Sequence, residues 1–313
     1  MIMNLAPILL FTYKRLDTLK NTVNALKNNN LASNSDLFIF SDGSKNDKDY
    51  EYVASVRNYI KTIDGFKSIN IKFSPQNYGL ANSIISGVSK VLEDYDRVIV
   101  LEDDILTSNN FLDFMNQALE YYKNSNNIFS VSGYTPVISG LESDGVYFTK
   151  RASSWGWATW KTKWDLVDWD VKDYDIFSKS TKLKKEFNKM GSDMSFMLGR
   201  QMSGEINSWA IRWCYSQFRL DLYSVFPSVS KVINVGFDSE DATHTKEKSN
   251  RFLTKLDNST KTTFIFNNHV KLDKKIVYQF TRPYSFKNRL LNKLMNFNFL
   301  ENFSLFFKIL KKI

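Results

Sequence analysis

The chain has 313 residues, of which 43% are hydrophobic and 15% aromatic, so it can bury a sizeable core and is not a disordered protein. Its single cysteine, Cys214, excludes an internal disulfide framework and a cysteine-based zinc cluster, and its two histidines exclude a histidine-rich metal site. The formal net charge is +9, and residues 286–313 carry six Lys/Arg against one acid, Glu301, so more than half of the excess lies in this tail.

The amino terminus, MIMNLAPILLF, is apolar and has no basic residue ahead of it, whereas Lys14 and Arg15 follow it. That is the wrong polarity for a secretory signal, and we interpret the stretch as a first strand. No run of about 18 uninterrupted apolar residues is present, so a transmembrane helix is not expected. A single cysteine also suits a reducing compartment, and we expect a cytoplasmic protein.

The first 135 residues alternate short apolar runs with amphipathic stretches, which is typical of an α/β fold. Strands are predicted at 7–13, 36–42, 69–74, 97–104 and 128–133, and helices at 15–26, 49–63, 78–93 and 109–122. This order predicts a mostly parallel, Rossmann-like sheet with helices on both faces. After residue 140 the pattern becomes aromatic-rich and irregular.

Polar groups follow several of the predicted strands where those strands end. They are Thr12 to Arg15, Asp42 and Glu102-Asp103-Asp104. Ligands of parallel sheets bind beyond the carboxyl ends of the strands, so we expect one shared site. Three consecutive acids repel one another unless a cation or basic groups neutralise them. A divalent metal that bridges a diphosphate would do so, and a carboxylate site favours Mg²⁺ or Mn²⁺. A solvated loop that caps the following helix is the alternative.

Four segments, PILLFTYKR, FIFSDGS, NYGLANSI and VIVLEDDI, resemble in order and spacing the GT-A fold glycosyltransferases. They look most similar to bacterial family-2-like sugar transferases and to animal N-acetylglucosaminyltransferase I, over roughly residues 5–245. The resemblance implies that Asp104 binds Mn²⁺ together with the diphosphate of a donor, most simply a UDP-sugar. It implies that Asp103 contacts the ribose or sugar, that Asp42 holds the uracil or ribose, and that Arg15 lies near the nucleotide.

Each donor-site residue also has a structural interpretation. Asp42 could merely begin an Asx-turn, and Arg15 could be a first-turn residue of a solvated helix. Asn77, in Asn77-Tyr78-Gly79, could either bind the donor or form only the turn that begins a helix. Thr12 is included because it ends the first strand at the same edge of the sheet.

The run SSWGWATW also resembles the bacterial transferases and begins a tryptophan-rich segment. Aromatic faces stack on the C–H faces of sugar rings, so such a segment suits acceptor binding. We expect Trp155 and Trp157 near the acceptor and Trp160 and Trp164 packed in the core. The alternative is that the whole segment is a core wedge.

The catalytic base is harder to predict. The inverting relatives normally carry an Asp at or just before the helix that begins near Ser208, whereas this sequence has Asn207, which cannot accept the acceptor proton. Glu205 is the nearest carboxylate and the first candidate, and Asp238 is the second. The resemblance further implies that His244 completes the metal shell or contacts the diphosphate; the alternative is that it is a solvent-exposed loop residue. Direct displacement with inversion is the expected reaction, although a retaining course stays open.

The last residues form a basic, amphipathic pattern. Apolar residues recur every three or four positions at Leu290, Leu294, Phe297, Leu300, Phe303, Phe307 and Leu310. A basic helix rich in Phe favours attachment to an anionic membrane surface, here the inner face of the cell membrane. The alternative is a helix docked on the catalytic domain.

These interpretations divide the chain into a glycosyltransferase domain at 1–245, a connecting segment at 246–285 and the tail at 286–313. Within the first, 1–135 would bind the nucleotide sugar and 136–245 the acceptor, a glycan or a lipid-linked glycan in surface polysaccharide synthesis. Nucleic-acid binding is not expected, because only the tail carries basic residues among aromatics. A sugar nucleotidyltransferase and a non-catalytic carbohydrate-binding protein are the competing hypotheses; the former should have a Gly-rich loop after the first strand, and FTYKRLDTL has none.

Overall fold

The computed structural model describes residues 4–236, 252 and 254–296. The strands are β1 (Ile8–Thr12), β2 (Asp36–Ser41), β3 (Ser68–Phe73), β4 (Arg97–Glu102), β5 (Ile105–Thr107), β6 (Ile128–Ser132), β7 (Val146–Thr149), β8 (Trp157–Trp160), β9 (Tyr223–Pro227) and β10 (Val232–Asn234). The helices are α1 (Leu16–Lys27), α2 (Tyr50–Ile60), α3 (Leu80–Val91), α4 (Phe111–Tyr122), α5 (Lys161–Trp164), α6 (Tyr174–Lys179), α7 (Thr181–Phe187), α8 (Met194–Met202), α9 (Trp209–Arg219), α10 (Lys274–Thr281) and α11 (Phe286–Asn296).

Eight of these strands form one sheet in the order β3-β2-β1-β4-β8-β6-β9-β7. Strands β3, β2, β1 and β4 are parallel neighbours, while β8 is antiparallel to both β4 and β6. The mostly parallel α/β architecture predicted from the sequence is therefore confirmed. The difference is that a strand from the tryptophan-rich segment separates β4 from β6, which was predicted to continue the alternation.

The central strands owe their position to apolar side chains on both faces. Val98, Ile99, Val100 and Leu101 of β4 are at most 1% exposed, and they contribute alternately to the two halves of the core. Full burial of each such side chain stabilises the fold by about 1.5–3 kcal/mol. The polar residues that follow β4 are thereby held at the edge of a rigid layer.

A short second sheet returns a distant part of the chain to that edge. Strand β10 pairs antiparallel with β5, with Asn234 opposite Ile105. Since Ile105 directly follows the acidic triplet, the chain after β10 reaches the triplet from the other side. No periodicity in the sequence predicts this contact between the chain after β10 and the acidic triplet.

The connecting segment packs on the body of the protein where it is described. Asp257 forms an ion pair with Lys231, which is 1% exposed, and Phe264 and Phe280 belong to the core. Within the described parts of the chain, no helix is long and apolar enough to cross a membrane.

Candidate functional site

The carboxyl ends of the neighbouring strands β1 and β4 meet at a cluster of charged side chains. Nη2 of Arg15, which directly precedes α1, donates to Asp103 Oδ1 at 2.5 Å and to Asp104 Oδ2 at 2.9 Å. The two acidic side chains are 5% and 11% exposed, and that of Arg15 is 23% exposed. One guanidinium therefore faces two carboxylates that are largely shielded from water.

Asp103 is fixed by the end of β1. Thr12 Oγ1 donates to Asp103 Oδ2 at 2.9 Å, and the Tyr13 backbone N–H donates to the same oxygen at 3.2 Å. Thr22 Oγ1, in α1, donates to the Asp103 carbonyl at 3.0 Å. The structure thus brings together three residues that were predicted to bind the donor, Thr12, Arg15 and Asp103. Both Thr12 and Arg15 donate hydrogen bonds to Asp103.

The single positive charge of Arg15 does not fully neutralise the three acids at the end of β4. Burial, followed by repulsion from Asp103, raises the pKa of Asp104 above its ordinary value in spite of Arg15. Burial and the charges of Asp104 and Asp103 raise the pKa of Glu102 to about 8. Burial alone would lower the pKa of Arg15, but the two aspartates raise it, so the guanidinium is charged. A further cation beside Asp104 would relieve the repulsion.

Asp104 is also contacted by the chain that follows β10. The Val235 N–H donates to the Asp104 carbonyl at 2.9 Å, and Asn234 Nδ2 lies 3.5 Å from Asp104 Oδ1. A Cβ atom on Gly236 would lie 2.2 Å from Asp104 Oδ2. Any larger residue at this position would therefore force the Asp104 carboxylate or the chain after β10 to shift. The sequence analysis missed Asn234 and Gly236, and only the pairing of β10 with β5 reveals them.

The protein groups around Asp104 fit a metal that takes most of its ligands from the substrate. Among the described residues, no three His, Cys, Asp or Glu side chains are grouped to hold a metal. Asp103 accepts hydrogen bonds from Thr12, Tyr13 and Arg15. Asp104 accepts from Arg15 through Oδ2, while its Oδ1 has a longer contact of 3.5 Å with Asn234 and could act as an oxygen ligand. One carboxylate suits Mg²⁺ or Mn²⁺ when phosphate oxygens and water complete the coordination.

Asp42 and Asn77 tie the end of β2 to the start of α3. The Asp42 carboxylate accepts hydrogen bonds from the backbone N–H groups of Gly43, Tyr78 and Gly79, at 2.9 to 3.0 Å. Asn77 Nδ2 donates to the Gly43 carbonyl at 2.9 Å. The structural alternative, a turn that begins a helix, describes these contacts well, and a donor contact of either residue stays a prediction.

Glu205 lies in the turn between α8 and α9, and its side chain is 59% exposed. Arg200 Nε donates to it at 3.0 Å and Ser203 Oγ at 3.1 Å, and these bonds lower its pKa. A lowered pKa weakens a general base. Asn207 directly precedes the α9 N-cap, Ser208, and its Oδ1 accepts a hydrogen bond from Arg212. None of these contacts brings Glu205 to the Arg15 cluster.

The two tryptophans predicted to bind the acceptor differ sharply. Trp157 is 1% exposed, and its ring packs against Trp209, Trp213 and Trp164 at centroid distances of 5.0, 5.4 and 5.8 Å. This corrects the expectation for Trp157, because no face of its indole is left for a sugar. Trp160 and Trp164 are core residues, 4% and 2% exposed, as predicted.

Trp155 instead is only partly buried. It lies two residues before Trp157, the residue of β8 that pairs with Val100 of β4, and its ring packs edge-on against Tyr134 and Phe252 at centroid distances of 4.7 and 5.8 Å. Half-buried Trp155 also lines a cavity of about 190 Å³. Its other lining residues are Tyr134, Arg151, Ala152, Ser153, Ser154, Met194, Met197, Ala210, Ile211, Cys214, Phe252 and Tyr284. The cavity is mostly apolar, and it is lined by separate segments that were not predicted from the sequence to meet.

The remaining predicted residues, Asp238 and His244, lie outside the described residues. Both follow Gly236 closely in sequence, and Gly236 adjoins Asp104. Their roles as second candidate base and as metal ligand stay predictions.

Solved structures similar to this chain include that of the mannosyltransferase PcManGT from Pyrobaculum calidifontis in complex with GDP-Man and Mn²⁺. The match has 9% identity and a TM-score of 0.36, and it covers 51% of this chain and 46% of that one. Residues 1–349 of S. aureus TarS match with 9% identity and a TM-score of 0.40, over 74% of this chain and 61% of that one. The match spans less than two thirds of either neighbour. No curated protein has significant sequence similarity to this chain.

A family model gives the most extensive sequence match. Residues 8–200, from β1 into α8, match the model described as glycosyl transferase family 2. This range includes Arg15, Asp103, Asp104 and Trp155, and its mostly parallel sheet agrees with the expected GT-A fold. The chain belongs to glycosyl transferase family 2.

Proposed function

We propose that this glycosyltransferase moves a hexosyl or N-acetylhexosaminyl group from a UDP-sugar to a glycan or lipid-linked acceptor in surface polysaccharide synthesis. The observation that carries the proposal is the pair of buried acids, Asp103 and Asp104, held by one guanidinium at the end of β4. Such a site could bind a divalent metal in addition to the Arg15 guanidinium, and this metal would bind the donor diphosphate.

On the donor side, Asp104 would hold Mn²⁺ or Mg²⁺, which supplies Lewis-acid stabilisation of the charge that develops on the departing diphosphate. Asp103 Oδ2 accepts from Thr12 and Tyr13, and Oδ1 from Arg15, so Oδ1 keeps an acceptor position for a donor hydroxyl. Arg15 uses Nη2 for both acids, and its Nη1 and Nε could donate to a phosphate oxygen. Asp42 and Asn77 would border the nucleotide.

On the acceptor side, Trp155 would offer an aromatic face to the acceptor sugar at the mouth of the apolar cavity. The base that deprotonates the acceptor hydroxyl would be Asp238 in preference to Glu205. Glu205 is weakened as a base by Arg200, whereas Asp238 follows the chain that reaches Asp104. Displacement by an acceptor activated in this way inverts the anomeric centre.

A non-catalytic carbohydrate-binding protein is the second candidate. The observation that favours it is Asn207, an amide where an acid was expected, whose Oδ1 is engaged by Arg212. The two candidates differ in turnover: a binding protein would retain ligand at Trp155 without releasing nucleotide.

The test is a donor screen with the purified chain, in which release of nucleoside diphosphate is measured with Mn²⁺ and with chelator. Wild type and a control, Asp94→Ala, should show metal-dependent release with one donor, since Asp94 is an exposed acid outside the site. Asp104→Ala should be slower by about hundredfold or more, equivalent to loss of several kcal/mol of charge stabilisation. Absence of metal-dependent release with every donor would contradict the enzymatic proposal, and equal rates in Asp104→Ala would contradict the site.

A further inference from the structure

Helix α11 is oriented unlike an ordinary docked amphipathic helix. Its exposed residues include Phe286, Leu290 and Leu291, which are 70%, 42% and 46% exposed. Asn292, by contrast, is only 7% exposed, and Asn288 and Arg289 are partly buried. Over residues 286–292, the helix therefore turns polar side chains toward the protein and large apolar side chains away from it, the reverse of the usual arrangement.

The inward contacts of α11 are specific hydrogen bonds. Arg289 Nη1 donates to Ser192 Oγ at 3.2 Å, and Ser192 Oγ in turn donates to the Tyr284 carbonyl at 2.9 Å. Asn288 Nδ2 donates to the Arg282 carbonyl at 2.6 Å. Hydrogen bonds of this kind fix the rotation of the helix about its axis. The outward direction of the apolar residues is thus set by the folded protein and does not depend on a partner.

The segment that contains the exposed apolar residues is rich in basic residues. Lys287 is exposed on α11, and earlier in the chain Lys271, Lys274 and Lys275 are exposed at and before the start of α10. In sequence, the whole tail of residues 286–313 has six basic residues and one acid. Exposed apolar side chains next to Lys287, in a tail of basic sequence, match the interface of an anionic bilayer, where rings and aliphatic chains enter the acyl boundary and ammonium groups meet lipid phosphates.

The same contacts connect α11 to the cavity. Tyr284, which accepts the Ser192 hydrogen bond, lines the cavity, and so does Arg151, whose guanidinium lies 3.7 Å from the centre of the Tyr284 ring. Arg151 is itself held by both carboxylate oxygens of Asp193, next to Ser192, at 2.9 Å. One layer of side chains therefore separates the outward helix from the apolar cavity beside Trp155.

We propose that the face of α11 formed by Phe286, Lys287, Leu290 and Leu291 docks on an anionic lipid membrane and holds the cavity close to the bilayer surface. The inference concerns binding alone and holds whether or not the proposed reaction is correct. A second copy of the chain, or residues beyond 296 folding onto this face, would be the competing occupants.

The test is flotation of the full chain with vesicles of phosphatidylcholine, alone or with roughly one third phosphatidylglycerol. Wild type should bind the anionic vesicles, and the double variant Phe286→Ser/Leu290→Ser should bind at least about tenfold more weakly. The matched control is Leu166→Ser/Phe196→Ser, which removes the same two residue types from positions that are 52% and 61% exposed and should bind like wild type. Lys287→Ala should weaken binding by about fivefold at low salt and by less at high salt.

Absence of binding by wild type, or equal binding by the Phe286→Ser/Leu290→Ser variant, would overturn the proposal. So would a lipid-independent dimer, measured by light scattering, that this variant dissociates, because the occupant would then be a second copy. Circular dichroism and thermal melting of each variant show whether it is folded. Measurement of nucleotide release with a soluble acceptor then separates a failure of membrane docking from a failure of the catalytic proposal.

Discussion

Substitution of Gly236 by alanine tests whether the chain after β10 shapes the site around Asp104. A Cβ atom there would lie 2.2 Å from Asp104 Oδ2 and 3.0 Å from Arg15 Nη1. An ordinary contact needs about 3.4 Å or more, so the carboxylate or the loop must move by about 1 Å. The Asp104 carboxylate is held by Arg15 and faces Asn234, so this movement disturbs the site itself.

A misplacement of about 1 Å at a reacting group costs on the order of hundredfold in rate, and we expect Gly236→Ala to lower kcat/KM by about ten- to hundredfold. Overpacking at a partly open site should cost at most about 1–3 kcal/mol of stability. The assay is the initial rate of metal-dependent nucleotide release, with urea unfolding measured in parallel. The control is Gly145→Ala, where the added Cβ meets only one atom, at 3.7 Å. A folded Gly236→Ala variant with wild-type rate would refute this account of Asp104.

Further predictions concern stability and the acceptor. Asp257→Asn should destabilise the fold by about 3–5 kcal/mol in urea unfolding, because it leaves Lys231 buried without its carboxylate, whereas Lys231→Met/Asp257→Leu should cost much less. Burial alone would raise the pKa of Asp257, but hydrogen bonds, first from Lys231, lower it to about 2. Ionised Asp257 therefore stabilises the fold above pH ~4, and this contribution, about 1–2 kcal/mol, is lost as the pH falls toward 2. If the free energy of unfolding of wild type, relative to that of the double variant, did not change between pH ~4 and ~2, this prediction would be contradicted. Trp157→Ala should lower the free energy of unfolding by about 3–5 kcal/mol, because Trp157 is a core residue. Trp155→Ala should chiefly raise KM for the acceptor. If Trp155→Ala destabilised the fold and Trp157→Ala raised KM, the core role of Trp157 and the acceptor role of Trp155 would have to be exchanged.

The sequence was sufficient to predict the fold of the first 135 residues because their helices and strands are determined by local patterns. A β-branched run such as Val98 to Leu101 predicts a buried strand, and the order of strands and helices predicts that their carboxyl ends converge. The placement of Thr12, Arg15 and Asp103 together followed from that rule alone. Contacts within a parallel sheet need no knowledge of side-chain packing.

The fold of residues 136–236 could not be predicted in the same way, because long-range pairings determine it. The insertion of β8 beside β4 places Trp157 in the core, whereas Trp155, two residues earlier, is half-buried and lines the cavity. Both tryptophans carry the same local information in the sequence. Likewise, only the pairing of β10 with β5 brings Gly236 to Asp104.

The orientation of α11 could not be predicted from the sequence for a different reason. The spacing of Phe286, Leu290 and Leu291 predicts an amphipathic helix, but periodicity alone does not say whether its apolar face packs inward or faces outward. The hydrogen bond from Arg289 to Ser192, 97 residues away in sequence, and the burial of Asn292 determine the direction.

The central claim is that the buried acids at the end of β4 bind a divalent metal together with a nucleoside diphosphate. Its most direct test is a titration of Mn²⁺ into the protein with and without UDP, followed by the electron paramagnetic resonance signal of free Mn²⁺. The account predicts one Mn²⁺ per chain whose affinity rises when UDP is present, and at least about tenfold weaker binding in Asp104→Asn. Binding of Mn²⁺ and UDP that is unchanged in Asp104→Asn would contradict it.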